Sequence, residues 1–279
     1  MKIHDYPTLG SSMTEAMHNK IAEALAPLPV PADRAPLLQQ RVAARIAQSA
    51  GRHRGLRIFR REDARWQNLA KGVRACVLHD NGATRTALVE FAPGSRLPSH
   101  RHAAHEECIM LRGSVEAGKC HVGLHDYHLA PAGSRHAGIE SREGGLAFLR
   151  GTSIGKTSDM MRELVTAWLP GSRKGASTIA ANEGNWREVA NGAFVKPLWR
   201  WGNAASMLLR LEAGARLPAH VHAVTEECVL LGGEAFFGDI LLREGEYQMT
   251  PAGMTQGDAF SDVGALLYLH GDAAYARLA

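Results

Sequence analysis

Residues His100 to Cys108 read HRHAAHEEC, which places three histidines, two glutamates and a cysteine in nine positions. Imidazoles, carboxylates and thiolates are the side chains that hold transition metals. On an extended strand, residues two apart project to the same face. His100 and His102 therefore share a face, and Glu106 has the same parity. A fourth donor would have to come from a later strand, and His136, just after the turn PAGS, is well placed for that. Three imidazoles and a carboxylate suit zinc, iron, manganese or nickel. Zinc would accept them as a closed tetrahedral set, whereas a metal of higher coordination number would keep positions for substrate or oxygen. A lone His-x-His would read instead as surface histidines beside a turn.

The pattern is not alone. PGSRLPSHRHAAHEECIMLRG (93–113) aligns without a gap on AGARLPAHVHAVTEECVLLGG (213–233), an offset of 120 residues. Trp66 and Trp186, Gly72 and Gly192, Tyr127 and Tyr247, and the two PAG turns extend the match. The chain thus carries two copies of one unit, roughly 61–151 and 181–271, and a period this long makes each copy a domain. His220, His222 and Glu226 repeat the first donor set, but Gln256 stands where the first copy has His136. A neutral amide is a poorer metal donor, so the second set either binds metal with an open position or is empty and kept for packing.

The elements that must position these residues are short. TALVEFAPG and SMLLRLEAG end at glycine turns, ECIMLRG and ECVLLGG are apolar runs of strand length, and GLAFLRG and ALLYLHG close the copies. Glycine and proline punctuate at intervals near ten residues, the spacing of an all-β sandwich or barrel. Met110, Leu230, Phe148 and Tyr268 are expected in barrel cores. Cys108 and Cys228 share a repeat position and point inward by parity. They are read as small buried residues in preference to oxidant-sensing thiols. Glu107 and Glu227 have the opposite parity and are assigned to ligand support or the surface. His105, His121, His125 and His128 have no histidine counterpart in the second copy and are assigned to surface or rim.

Before the repeats, SMTEAMHNKIAEAL carries Met13, Met17, Ile21 and Leu25 at helical steps, LPVP breaks the pattern, and Leu38, Val42 and Ile46 share one face of a second helix ending at Gly51. Between the copies, DMMRELVTAWL reads as a strand or a short helix, and PGSRKGAST as an exposed loop.

Glycine, five residues, His-x-His, three residues, Glu, six residues and glycine is the first motif of the cupin superfamily. Gly94, His100, His102, Glu106 and Gly113 fill it, as do Gly214, His220, His222, Glu226 and Gly233. The doublet HEE and the phrase PAGSRH are similar to the ChrR-like cupins, the cupin domains of zinc-dependent anti-sigma factors. The resemblance covers residues 61–279. It implies two jelly-roll cupin barrels in tandem behind a short helical N-terminal extension, with domains at 1–55, 56–155 and 181–279 and a linker at 156–180. It also implies His100, His102, Glu106 and His136 as ligands of a divalent metal, zinc first and Fe, Mn or Ni as alternatives. His220, His222, Glu226 and Gln256 form the corresponding second set. A regulatory or sensory protein with a sigma factor as partner is the implied function. The anti-sigma His-x3-Cys-x2-Cys motif is absent, since no cysteine precedes Cys76. The alternative is a metal-dependent cupin dioxygenase or isomerase acting on a small molecule held in a barrel.

Apolar content of 45% and charged content of 22% are those of a globular protein. There is no membrane-length apolar run and no signal-like N-terminus, so a cytoplasmic protein is expected. Four sparse cysteines, none in a Cys-x2-Cys pair, do not make a disulfide scaffold. The net charge is +4, with eleven basic and three acidic residues between Asp33 and Arg74. That stretch reads as a solvated face; without interleaved aromatic residues, nucleic acid is not an expected partner. No nucleophile elbow or phosphate-binding loop is present. Association into a homodimer through sheet edges is the remaining expectation.

Overall fold

The computed structural model describes residues 11–24, 31–136, 138–154, 157–166 and 175–273. The chain forms two units, Met1–Arg54 and Gly55–Ala279. In the first, α1 spans Ser11–Ala24 and α2 spans Ala35–Arg52. Pro36 sits in the first turn of α2, where its missing N–H costs nothing, and the helix runs one residue past Gly51. The stripe Leu38, Val42 and Ile46 lies on one face as expected, but every one of the three is exposed. Apart from Pro31, the LPVP breaker lies outside the described residues.

The described residues of the second unit form two antiparallel β-barrels. The main sheet of the first has the order Ser177–Ile179, Tyr127–Ala130, Glu106–Gly113, Gly145–Arg150, Arg85–Phe91, Val73–Asp80 and Gln67–Ala70. A smaller sheet of Ser95–Leu97, Ile139–Ser141, Val115–Ala117 and Cys120–Val122 closes its other side. The second barrel repeats the plan, with Glu226–Phe237, Ala265–Asp272, Ala204–Leu211 and Ala193–Trp201 at its centre. The motif glycines are required by the hairpins. Gly113 has φ +64°, and a Cβ there would lie 2.0 Å from the Gly144 carbonyl oxygen. At Gly233 the distance to the Gly264 oxygen would be 2.1 Å.

The outermost strands are exchanged between barrels. Arg57–Phe59, which precedes the first barrel, pairs with Tyr247–Thr250 of the second. Ser177–Ile179, which precedes the second, pairs with Tyr127–Ala130 of the first. The expected exposed loop PGSRKGAST therefore ends in a paired strand, while its residues 170–174 lie outside the described residues. The ambiguous DMMRELVTAWL segment is helical over its described part, α3, Thr157–Val165.

Three apolar clusters result. One fills the second barrel, around Met207, Leu209, Leu230, Phe237 and Leu267. Another lines the first barrel, around Val89, Phe91, Met110, Val122 and Leu149. The third lies between the barrels, where Ile109, Tyr127 and Phe148 meet Val229, Tyr247 and Tyr268. Each such side chain contributes about 1.5–3 kcal/mol on burial. Met110 and Leu230 are barrel core, as expected. Phe148 and Tyr268 are not: they project from the outer face of their sheets into the seam. Central strands are thus buried on both faces, which is why they read as continuous apolar runs and not as alternation.

Candidate metal centre

The strand His100–Arg101 pairs with Arg135–His136, and His100 lies directly opposite His136. The turn between Pro131 and Ser134 returns the chain, with the His102 amide donating to the Ser134 carbonyl at 3.0 Å and Gly133 donating to the His102 carbonyl at 2.8 Å. This brings candidate donor nitrogens of His100, His102 and His136 within 4.8 Å of one another. Glu106 begins the next long strand and turns its carboxylate to the same cluster, 3.8 Å from His102 Nδ1. Three of the four sequence-predicted residues of the first set, His100, His102 and His136, therefore bring donor nitrogens together, and Glu106 adjoins them through His102. His100 Nδ1 lies 3.0 Å from the Pro98 carbonyl, which fixes Nδ1 as the protonated nitrogen and leaves Nε2 as the donor.

The electrostatics suit a cation. Burial, with His100 and His128 adding, lowers His102 to about 3. Burial, with His102, His100 and His128 adding, lowers His136 to about 2. These imidazoles are neutral at physiological pH, so their lone pairs are available. Burial raises Glu106, opposed by His100 and a hydrogen bond from Thr152. A divalent ion would satisfy a buried carboxylate and three converging lone pairs, so the residues present fit a metal.

His128, assigned from sequence to the surface or rim, is buried in this cluster. Its Nε2 lies 3.1 Å from His136 Nε2, and its Nδ1 lies 2.8 Å from Thr178 Oγ1 on the exchanged strand. The reason is register: His128 pairs with Cys108 across the sheet, so both face inward. The signal was present in the repeat, since Gln248 occupies the same position. The strands YHLA and YQMT both carry a polar residue at their second position. The other unmatched histidines stand apart from the cluster. His105 packs against Trp199 and Trp201, with ring centroids at 5.3 and 5.2 Å, and His121 is exposed beside Glu116. His125 occupies a turn at φ +61°.

The cluster opens onto a cavity of ≈ 230 Å³ inside the first barrel. His100, Glu106, Cys108, His128 and His136 form its polar end, and aliphatic side chains with Phe91 form its wall. α3 closes it with Met160, Glu163 and Leu164. Glu163 is buried, accepting hydrogen bonds from the Ala103 amide at 3.0 Å and from Ser153 Oγ at 2.6 Å. Burial, with Glu106 adding, pushes the Cys108 thiol far above its ordinary value, so it is not a thiolate.

The second set is arranged alike and equipped differently. His220 pairs opposite Gln256, and donor atoms of His220, His222 and Glu226 lie within 4.8 Å of one another. Gln256 Oε1 is occupied by neighbours, 3.2 Å from His222 Nε2 and 3.3 Å from Gln248 Nε2. Burial lowers His222 to about 4. Burial together with Asp272 raises Glu226 to about 8, so in the absence of a cation it is largely protonated at neutral pH. The cavity here is ≈ 30 Å³, room for a water molecule or two. Cys228 is buried and its thiol is raised well above the ordinary value by burial and by Glu226.

Glu107 and Glu227 neither support the ligands nor reach the surface. Both are buried in the seam between barrels. Glu107 accepts from Tyr127 at 2.8 Å, Tyr268 at 2.9 Å and Ser206, with His270 Nδ1 at 3.4 Å. Glu227 accepts from Tyr247 at 2.8 Å, Thr86 and Arg150 at 2.8 Å. Arg150 also reaches Glu107 at 3.3 Å. Among the described residues, no helix is long and apolar enough to cross a membrane.

No curated protein matches the chain. Solved structures with the same fold include a candidate dioxygenase of Nostoc punctiforme, 16% identical, with TM-score 0.59 over 78% of this chain and 82% of that one. A mutant oxalate decarboxylase of Bacillus subtilis is 19% identical, with TM-score 0.57 over 77% of each chain. Another structure of that enzyme, described with Mn(II) centres, is 17% identical, with TM-score 0.55 over 77% and 76%. At such identities the likeness is one of fold. The family model for the ChrR cupin-like domain matches twice, at residues 56–153 and 174–275. With two barrels, two motifs and two family matches in register, the chain belongs to the ChrR cupin-like family as a tandem bicupin.

Proposed function

We propose that the first barrel is a metal-dependent catalytic site for a small molecule and that the second barrel is its structural partner. The observation that carries this reading is the ≈ 230 Å³ cavity opening on three histidines and Glu106 in the first barrel, against ≈ 30 Å³ in the second. His100, His102, Glu106 and His136 would hold a divalent metal. The adjacent cavity favours Fe(II), Mn(II) or Ni(II), which keep positions beyond four ligands, over the zinc expected from ligand types. Such a metal would supply Lewis-acid polarisation of a substrate oxygen or activation of dioxygen. The aliphatic wall excludes water from the bound molecule. Burial lowers His128, which is held at Nδ1 by Thr178, so its neutral imidazole can take a proton from the substrate.

Protein loaded in turn with Fe(II), Mn(II) and Zn(II) would be offered small phenols and diketones while oxygen uptake and substrate loss are followed. Turnover with Fe(II) or Mn(II), abolished in His102→Ala, is expected. Stoichiometric zinc in the native protein with no turnover under any loading would overturn the reading.

The second reading is a regulator that grips a sigma factor with the N-terminal unit and senses a ligand in the barrel. The exposed Leu38, Val42 and Ile46 of α2 support it. It fails if no sigma factor from the same organism binds the full chain.

A further inference from the structure

The same cavity carries information about what it accepts, and this inference rests on the proposed site. Its size sets one limit. A cavity of about 150 Å³ lined by aliphatic and aromatic residues holds benzene. At ≈ 230 Å³ the first barrel accommodates one aromatic ring with a few substituent atoms. The wall sets a second limit: Leu69, Val89, Phe91, Val122, Ile139 and Leu149 offer no hydrogen bond to the body of the ligand.

Charge sets the third. Among the described lining residues there is no lysine or arginine. Among the described lining residues the carboxylic acids are Glu106 at the metal cluster and Glu163 on α3. A divalent cation balanced by those two carboxylates and neutral imidazoles leaves the chamber with no net charge. A carboxylate entering it would be buried without a counter-charge, which costs far more than burying a neutral hydroxyl or carbonyl. The second barrel serves as the internal control, because Phe237 and Leu209 occupy the space left open at Ala117 and Val89.

We infer that the ligand of the first barrel is a neutral, ring-sized, largely apolar molecule carrying an oxygen donor at one end. Glu163 is the specificity-determining residue that turns carboxylates away. Dicarboxylates such as oxalate lie outside this class.

Calorimetric titration of the Zn(II)-loaded and the metal-free chain with 4-methylphenol, 4-methylbenzoate and oxalate tests this. The phenol is expected to bind at least about tenfold more tightly than either carboxylate in both forms. Glu163→Gln keeps the hydrogen-bonding capacity toward Ala103 and Ser153, and it is expected to narrow the phenol-to-benzoate ratio by about threefold or more. Ala117→Phe, which copies the second barrel, is expected to abolish phenol binding while metal uptake persists. The inference is overturned if a carboxylate binds as tightly as the phenol, if no probe binds, or if Ala117→Phe binds the phenol unchanged. Failure of the first barrel to take up metal would sink the proposed function instead, and the phenol preference of the metal-free chain is read separately.

Discussion

The two barrels share a motif, a strand register and a pair of turn glycines, yet one is hollow and the other full. Ala75, Ala87, Val89 and Ala117 of the first correspond to Val195, Met207, Leu209 and Phe237 of the second. His128 and His136 correspond to Gln248 and Gln256, and Thr152, which bonds Glu106, corresponds to Asp272, which raises Glu226. The difference separates what the fold demands from what chemistry demands. Glycines that allow one backbone to approach another are kept in both copies, because any side chain would collide. Cavity and donor residues differ between the copies, and in the second barrel larger side chains fill the space that the first leaves open.

If that is right, the barrels respond oppositely to changes in volume. Phe237→Ala should open a cavity in a filled core and cost about 3–5 kcal/mol in denaturant unfolding. Ala117→Phe at the equivalent place enters space that already exists. Its cost should stay near 1 kcal/mol. Equal losses at the two positions would erase the distinction.

The seam offers a second comparison, since Arg150 and His270 occupy equivalent positions. Arg150→Met leaves two buried carboxylates without their shared cation and should cost about 3–5 kcal/mol. His270→Gln should cost less, because His270 reaches one seam carboxylate, Glu107, where Arg150 reaches two.

Acid stability sharpens the same point. Burial raises the Glu107 carboxyl, but His270, Arg150 and the Ser206 hydroxyl outweigh it and hold Glu107 at about 2, against an ordinary value of 4.5. Its stabilising contribution is complete above pH 4.5 and is lost as pH falls toward about 2. The amount lost is about 3 kcal/mol. Glu107→Gln should flatten the unfolding profile across that window. An unchanged slope would remove Glu107 from the account.

Much of this was legible in the residues. The 120-residue offset singled out His100, His102 and Glu106 from a crowded stretch, and the fourth position exposed Gln256. Parity correctly turned Cys108 inward. It could say only that Glu107 points the other way, and what packs there depends on a second sheet far along the chain. For the same reason Phe148 and Tyr268 read as barrel core and proved to be seam. The exchanged strands were hidden because pairing partners for three-residue strands are chosen by tertiary contacts. His128 is not marked by identity across the repeat because its counterpart is Gln248; a polar residue at the same place in YHLA and YQMT is the more telling sign.

The central claim is that one barrel works and the other supports it. Metal content per chain, measured on the native protein and on His102→Ala and His222→Ala, tests it most directly. One equivalent in the native protein, retained in His222→Ala and lost in His102→Ala, is the predicted result. Metal retained in His102→Ala and lost in His222→Ala would contradict the account.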